Sequence, residues 1–294
     1  MQFPITLING QWQGALSAFD RGLAYGDGLF ETVKVTQGRP LLWPLHKARL
    51  LRGCSCLGIP FGSEQQHQLE SEISTLCEKL ENSDAVIKLI VTRGTGGRGY
   101  RPSQDLTAQR ILIASALPEF PQEHYQRGIK LFLCQTRLSI NPRIAGIKHL
   151  NRLEQVLARS EWQDEYAEGV LCDYSDRVIE GTMSNIFALT DKGLVTPELT
   201  DCGVSGIIRD LLIERAQQEN LTVLVKSLSV DDLLSAQALC VTNSLIGVWP
   251  VRQFADRIYK PHQLISTMGL WLQQAETLSL SEFNTLESNR KELK

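Results

Sequence analysis

Lys148 is the residue with the clearest potential for chemistry. It lies in Gly146-Ile147-Lys148-His149-Leu150-Asn151-Arg152-Leu153-Glu154, a lone cation after the apolar, glycine-containing approach Ala145-Gly146-Ile147. A lysine held against apolar surface loses solvation, which disfavours its ammonium form. The neutral amine can attack a carbonyl and form a Schiff base. Alone this signal is weak, because most lysines are solvated and lay their stems over apolar neighbours.

Other residues supply complementary parts. Glu180, in Val178-Ile179-Glu180-Gly181-Thr182, is a carboxylate at the end of an apolar strand. Arg49 lies in His46-Lys47-Ala48-Arg49-Leu50-Leu51. In Gly203-Val204-Ser205-Gly206-Ile207-Ile208-Arg209 small residues lead directly into a predicted helix. Its first N–H groups lack partners within the helix and suit a phosphate. Asn243-Ser244 follows the predicted strand at 239–242. Each has a commoner structural explanation: a turn residue, a solvated helix face beside Lys47 and Arg52, a capped helix, a strand end. Together they provide a lysine for an aldehyde, a carboxylate for a pyridinium, and an arginine plus a helix start for a phosphate. Those are the parts that pyridoxal 5'-phosphate requires.

One motif points elsewhere and fails. Gly94-Thr95-Gly96-Gly97-Arg98-Gly99 fits the G-x-G-x-x-G dinucleotide pattern after a strand. Tyr100-Arg101-Pro102-Ser103 does not open a helix, so no helix dipole is present to hold a pyrophosphate. A loop carrying Arg98 is expected instead, and an arginine suits a carboxylate through paired hydrogen bonds.

The elements that must position these residues are readable from hydrophobic spacing. Residues 5–9 and 11–13 flank Asn9-Gly10, a hairpin signal. Residues 30–35 read as a strand, and Pro44 can open a helix with Leu45, Ala48, Leu51, Cys54 and Leu57 at helical spacing. A second helix is predicted over 64–80, with strands at 85–92 and 111–117. Pro118-Glu119-Phe120-Pro121-Gln122-Glu123 reads as a linker. Beyond it come a strand at 129–135, a helix at 150–163, and strands at 169–174, 177–179 and 185–190. Ser205 is a plausible cap for a helix to about Gln218. Strands at 221–226 and 238–242 close the sheet, and the polar tail beyond Leu278 is expected to fray.

With 294 residues, 43% of them hydrophobic, the chain can form one large or two ordinary domains. Its net charge of -3 carries no block of like charge, so neither nucleic acid nor an anionic membrane surface is an expected partner. No secretory signal or membrane-spanning run is read from it. The seven cysteines, Cys54, Cys56, Cys77, Cys134, Cys172, Cys202 and Cys240, form no C-x-x-C pair and are expected as reduced thiols in the cytoplasm, with no metal site.

The chain resembles the branched-chain and D-amino-acid aminotransferase-like enzymes, fold type IV of the pyridoxal-phosphate proteins. The matching stretches are Asp20-Arg21-Gly22, Tyr25-Gly26-Asp27-Gly28-Leu29-Phe30-Glu31-Thr32, residues 46–50, Lys148, Glu180-Gly181-Thr182-Met183-Ser184-Asn185-Ile186-Phe187, and Gly206-Ile207-Ile208-Arg209. Within that family, residues 92–100 and 145–155 are most similar to segments of the lyases that act on 4-amino-4-deoxychorismate.

The resemblance implies a mixed α/β (α+β) fold of two domains, a smaller one over 1–117 and a larger cofactor-binding one over 126–294, with a linker at 118–125 and the cofactor between them. It implies that Lys148 carries pyridoxal 5'-phosphate and that Glu180 pairs with its pyridine nitrogen. Arg49, the N–H groups of Ile207 and Ile208, and the Ser244 hydroxyl would hold the phosphate. Phe30, Arg98, Tyr100 and Asn243 would line the substrate, a small molecule, in a homodimer whose site borrows a loop around Phe30 or Arg98. The D-amino-acid transaminases have a tyrosine where this chain has Phe30 and a histidine where it has Tyr100. The branched-chain enzymes have a tyrosine at the place of Leu153. These departures favour elimination of pyruvate from aminodeoxychorismate over the alternative, transamination of D- or branched-chain amino acids.

Overall fold

The computed structural model describes residues 3–292, with side chains through residue 281. The chain forms two compact units. The first takes the chain to Pro118, the short insert Ile147–Asn151 and the segment from Ala275; the second takes Glu119–Gly146 and Arg152–Gln274.

In the first unit the strands β1 (Ile5–Ile8), β2 (Gln11–Trp12), β3 (Gly28–Thr36), β4 (Arg39–Pro40), β5 (Ala85–Thr92) and β6 (Gln109–Ala116) form a six-stranded sheet in the order β2-β1-β6-β5-β3-β4. Its pairings are antiparallel. The hairpin expected at Asn9-Gly10 is present, with both residues at positive φ as a tight two-residue turn demands. The helices are α1 (Arg21–Tyr25), α2 (Trp43–Leu57) and α3 (Ser63–Lys79). Along β3, Leu29, Glu31, Val33 and Val35 are buried while Phe30, Thr32 and Lys34 are half-buried, the two-residue period of a strand. Helix α2 lies close over the buried face: a Cβ on Gly53 would meet Leu29 Cδ2 at 2.7 Å. That approach brings His46 and Arg49, three residues apart on one helix face, over Glu31.

The insert Ile147–Asn151 joins this unit through its backbone. The Phe30 N–H donates to the Lys148 carbonyl at 2.9 Å, and the Leu150 N–H donates to the Gly28 carbonyl at 3.0 Å. The C-terminal segment joins it through Lys34–Glu276 at 3.2 Å and a bond from the Leu42 N–H to Ser279 Oγ at 2.9 Å. The tail expected to fray instead continues α8 (Gln263–Glu292) as helix.

The second unit is built on a nine-stranded mixed sheet. Its strands are β7 (Ile129–Leu138), β8 (Glu168–Asp173), β9 (Val178–Gly181), β10 (Asn185–Thr190), β11 (Gly193–Pro197), β12 (Val223–Lys226), β13 (Ala238–Asn243), β14 (Gly247–Phe254) and β15 (Arg257–Ile258). The order is β12-β11-β10-β13-β14-β7-β8-β9, with β15 on β14. Around it stand α4 (Gln122–Gln126), α5 (Leu153–Arg159), α6 (Ile207–Gln218) and α7 (Val230–Ser235). Every residue of β8 is buried, as for a strand covered on both faces. Val170, Ile186, Val195, Leu239, Val241, Trp249 and Phe254 form the core beside it. Several boundaries differ from expectation. Helix α4 forms inside the segment read as a linker, and α5 starts at Leu153, not Leu150, because 148–150 spend their backbone groups on β3. The mixed α/β class holds in both units.

Candidate active site

In the first unit, pairing with β3 fixes the backbone at Lys148 and just after it, and its ammonium lies 4.4 Å from the centroid of the Phe30 ring. The negative face of an aromatic ring attracts a cation there. Lys148 and Phe30, both candidates on sequence, are thus neighbours.

Beneath them on the buried face lies a charged cluster. Glu31 accepts from Arg49 Nε at 2.8 Å and Nη2 at 2.5 Å, and His46 Nδ1 lies 2.6 Å from Glu31 Oε2. All three are buried. Burial raises the Glu31 carboxyl, but the charge and hydrogen bonds of Arg49, with His46, outweigh it and hold it down at about 2. His46 is pushed down, chiefly by burial, with the Arg49 and Lys148 charges adding and Glu31 opposing. Arg49, the phosphate candidate, is therefore held in a fixed, charge-paired orientation. Glu31 and His46 lie in the family-like stretches, but their partnership depends on α2 crossing β3 and has no signature in spacing along the chain.

In the second unit Glu180 is the penultimate residue of β9 and is buried, and it accepts from the Val204 N–H at 2.8 Å. Arg152 is near: burial lowers it, and the Glu180 and Glu154 carboxylates oppose that. Val204 leads into α6, whose N-cap is Gly206, not the expected Ser205. Ser205 Oγ turns to Asp210, at 2.9 and 3.0 Å. No side chain caps α6, so the N–H groups of Ile207 and Ile208 start the helix in the state that suits an anion. Asn185 Nδ2 donates to the Val204 carbonyl at 2.8 Å, and Asn185 pairs with Thr242 across β10 and β13. The start of α6 and the end of β13 are thereby tied to one place.

Thr242 Oγ1 is buried without a hydrogen-bond partner among the described residues, two positions before Ser244. Asn243, expected at the substrate, also bonds within the protein. Its Oδ1 accepts from the Leu245 and Ile246 N–H groups at 2.8 and 2.9 Å, and its Nδ2 donates to the Met183 carbonyl at 3.0 Å. It holds the turn that carries Ser244. The strip 181–184 is organised by Glu168, fully buried, which accepts from the Thr182 N–H at 3.0 Å, Thr182 Oγ1 at 2.5 Å, the Met183 N–H at 3.2 Å and Ser184 Oγ at 2.7 Å. Glu168 was not singled out from the sequence. A lone acid opening the apolar run Gly169-Val170-Leu171-Cys172 was the available signal.

Arg98 and Tyr100 lie in an exposed loop after β5 that opens no helix, which removes the dinucleotide reading. Among the described residues no group of three or more His, Cys, Asp and Glu side chains could hold a metal, and no helix is long and apolar enough to cross a membrane. All seven cysteines are free thiols, with only Cys56 exposed. The first unit offers a lysine and a clamped arginine, and the second an uncapped helix start, hydroxyls at the end of β13 and a carboxylate; these are the group types that a phosphorylated pyridine aldehyde requires.

The sequence profile of the family described as amino-transferase class IV matches residues 28–254. An aminodeoxychorismate lyase of Vibrio harveyi is 38% identical over 249 residues, which cover 83% of this chain and 89% of that protein. The crystal structure of 4-amino-4-deoxychorismate lyase from Pseudomonas aeruginosa superposes with a TM-score of 0.87 at 42% identity, covering 92% of this chain and 98% of that one. A D-alanine aminotransferase of Bacillus licheniformis is 26% identical over 238 residues, covering 81% of this chain and 82% of that protein. The chain belongs to the amino-transferase class IV family, with the two-sheet mixed α/β architecture described above.

Proposed function

We propose that the protein is a pyridoxal-phosphate-dependent lyase that eliminates pyruvate from 4-amino-4-deoxychorismate to give 4-aminobenzoate for folate biosynthesis. The observation that carries this is similarity, at 38% and 42% identity over most of both chains, to proteins named as that lyase. The 4.4 Å seat of the Lys148 ammonium on the Phe30 ring, an apolar wall rather than a phenol, supports it.

Pyridoxal 5'-phosphate, when bound, supplies an aldehyde that takes up the substrate's ring amine and a pyridine ring that accepts electrons. Arg49, oriented by Glu31, the N–H groups of Ile207 and Ile208, and the Ser244 hydroxyl would be the phosphate's partners. Glu180 would keep a proton on the pyridine nitrogen, since an opposite charge favours the charged form. Lys148 would hold the aldehyde, and its amine, once free, would remove the proton from the carbon bearing the substrate's nitrogen. The carbon–oxygen bond to the enolpyruvyl group then breaks and the ring becomes aromatic. The same Lys148 returns a proton to the departing enolpyruvyl group. Positioned acid–base help of this kind contributes roughly 10²–10⁴-fold. Arg98 binds a substrate carboxylate, with Phe30 and Tyr100 beside the ring, and Asn243 acts through the turn at Ser244.

We further infer a cytoplasmic homodimer with a shared site. Leu153, Val156 and Leu157 of α5 are 70%, 58% and 54% exposed at one-face spacing, an apolar stripe suited to a second copy. The test of function is release of pyruvate and 4-aminobenzoate from aminodeoxychorismate by purified protein. Borohydride reduction should fix the cofactor to Lys148. Label on another lysine would end the Lys148 assignment, and a kcat/KM for D-alanine or leucine with a keto acid above that for aminodeoxychorismate would hand the function to transamination.

A further inference from the structure

The loop after β5 has no helix or strand of its own beyond an isolated bridge, and Arg98 and Tyr100 are exposed on it. A loop with so little buried surface has no intrinsic reason to hold one shape. Yet its backbone is gripped from beneath at one point after another. The Arg21 N–H donates to the Gly94 carbonyl at 2.9 Å, and the Gly96 N–H donates to the Phe19 carbonyl at 3.2 Å. Arg21 itself is buried, and its guanidinium reaches across the loop. Nη1 donates to the Gly99 carbonyl at 3.1 Å and Nη2 to the Tyr100 carbonyl at 2.8 Å.

The guanidinium is oriented from its other edge. Arg21 Nε donates to Asp27 Oδ2 at 2.8 Å, and Asp27 is held in turn by Arg93 through Nε at 2.7 Å and Nη2 at 2.9 Å. Burial raises the Asp27 carboxyl, but its bonds and charge pairing with Arg93 and Arg21 win and hold it below the usual range, so it stays ionised. Tyr25 completes the grip. Its ring lies 4.9 Å from Arg21 Cζ and 5.5 Å from the Tyr100 ring, and its hydroxyl accepts the Gly99 N–H at 3.2 Å. The loop can lie this close only because residue 96 is glycine: a Cβ there would meet Arg21 Cδ at 2.9 Å.

We infer that Arg21 is a positioning residue for the reaction: with Tyr25 it clasps the backbone on the far side of Arg98, so that the Arg98 guanidinium meets a substrate carboxylate at a fixed place. This rests on the reading of Arg98 as the carboxylate anchor. Preorganisation of this kind spares the substrate the ordering cost of the loop, so its loss appears in binding before chemistry. A lysine could bond one of the acceptors but could not span Gly99, Tyr100 and Asp27 with one ammonium group.

The test uses the holoenzyme with Arg21→Ala, Arg21→Lys, Tyr25→Phe and, as reference, Arg98→Ala. Two readouts are taken: steady-state kinetics with aminodeoxychorismate, and the rate at which trypsin cuts after Arg98. Arg101 precedes Pro102 and resists trypsin, so Arg98–Gly99 is the target bond within residues 94–103. Arg21→Ala is expected to raise KM by about tenfold toward the Arg98→Ala value, with kcat and the visible cofactor band unchanged, because uniform binding is what it removes. Cleavage at Arg98–Gly99 should accelerate in parallel. Arg21→Lys should recover part of both effects, and Tyr25→Phe, which removes a single bond at a half-exposed side chain, should show a smaller change in the same direction. Unchanged KM and cleavage in Arg21→Ala and Tyr25→Phe, while Arg98→Ala raises KM, would overturn the clasp alone. A fall in kcat or a shifted cofactor band at constant KM would overturn it too. Should Arg98→Ala itself leave KM unchanged, the anchor reading fails, and substrate positioning by Arg21 falls with it even if cleavage accelerates.

Discussion

Removing the charge of Glu31 tests the deepest electrostatic feature of the first unit. Glu31→Gln keeps shape but leaves Arg49 and His46 buried without their carboxylate. Two effects compete at this residue. Burial penalises the carboxylate, and the Arg49 charge with the hydrogen bonds of Arg49 and His46 favours it; the second wins, moving the carboxyl from 4.5 to about 2. At about 1.4 kcal/mol for each pH unit of difference, that corresponds to roughly 3 kcal/mol. Breaking a buried pair by removing one partner costs about 3–5 kcal/mol, a consistent figure. For a chain of this size Tm should fall by about 6–12 °C. The sign with pH follows from linkage. Because the folded value lies below the unfolded one, the contribution is complete above pH 4.5 and is lost as pH falls toward 2. Melts of wild type and Glu31→Gln, both freed of cofactor so that ligand binding does not enter, should therefore differ most at neutral pH. At about pH 3.5 the gap should narrow by about 1.4 kcal/mol. An equal gap at both pH values would mean that packing, not charge, was lost. A gap below about 1 kcal/mol at neutral pH would mean that desolvation cancels the pair.

Arg49→Ala should weaken cofactor affinity by about 10- to 100-fold, since a charge-assisted contact is worth about 1.5–3 kcal/mol, while kcat approaches wild type at saturating cofactor; titration of the visible band checks it, and unchanged affinity refutes it. Glu180→Gln should retain cofactor but lose most of its turnover through a weaker electron sink; near wild-type kcat in that variant would end the assignment. Glu168→Gln puts an amide donor against the hydroxyls and N–H groups that Glu168 now accepts, and one unmet buried donor costs about 1–3 kcal/mol, so Tm should drop measurably, with no drop refuting the role given to that carboxylate.

The parts of the fold that declared themselves in sequence are those whose signal is local. Asn9-Gly10 marks a hairpin because both residues tolerate positive φ, and β3 and α2 announce themselves by their periods. Where expectation failed, a distant partner had overridden the local pattern. Leu150 reads as the start of a helix, but residues 148–150 are drawn out as an extended segment by their bonds to Gly28 and Phe30. The polar tail looks poorly anchored, yet Ser279 finds a partner at Leu42, more than two hundred residues away in the chain, just after Glu276 reaches Lys34. Strand β14 carries Pro250 within it, which breaks the apolar run that would mark it locally.

The site divides along the same line. Lys148, Arg49, Glu180 and the start of α6 are groups whose type suggests chemistry at the point where they occur in the chain. The residues that hold them are ordinary by type and extraordinary only by contact. Glu31 looks like one acid in a strand until α2 sets His46 and Arg49 on it, and Gly53 is what lets α2 come that near. Arg21 looks like a helix-start cation until the loop at 94–100 folds over it, with Gly96 allowing the approach. In one case a glycine with no chemistry of its own decides whether a charged pair can form, and in the other whether a guanidinium can reach the carbonyls of a loop. Substituting Gly53 or Gly96 should therefore disturb Arg49 or the Arg98 loop without touching either residue. This kind of coupling is set by tertiary approach, so composition, periodicity and motif spacing carry no trace of it.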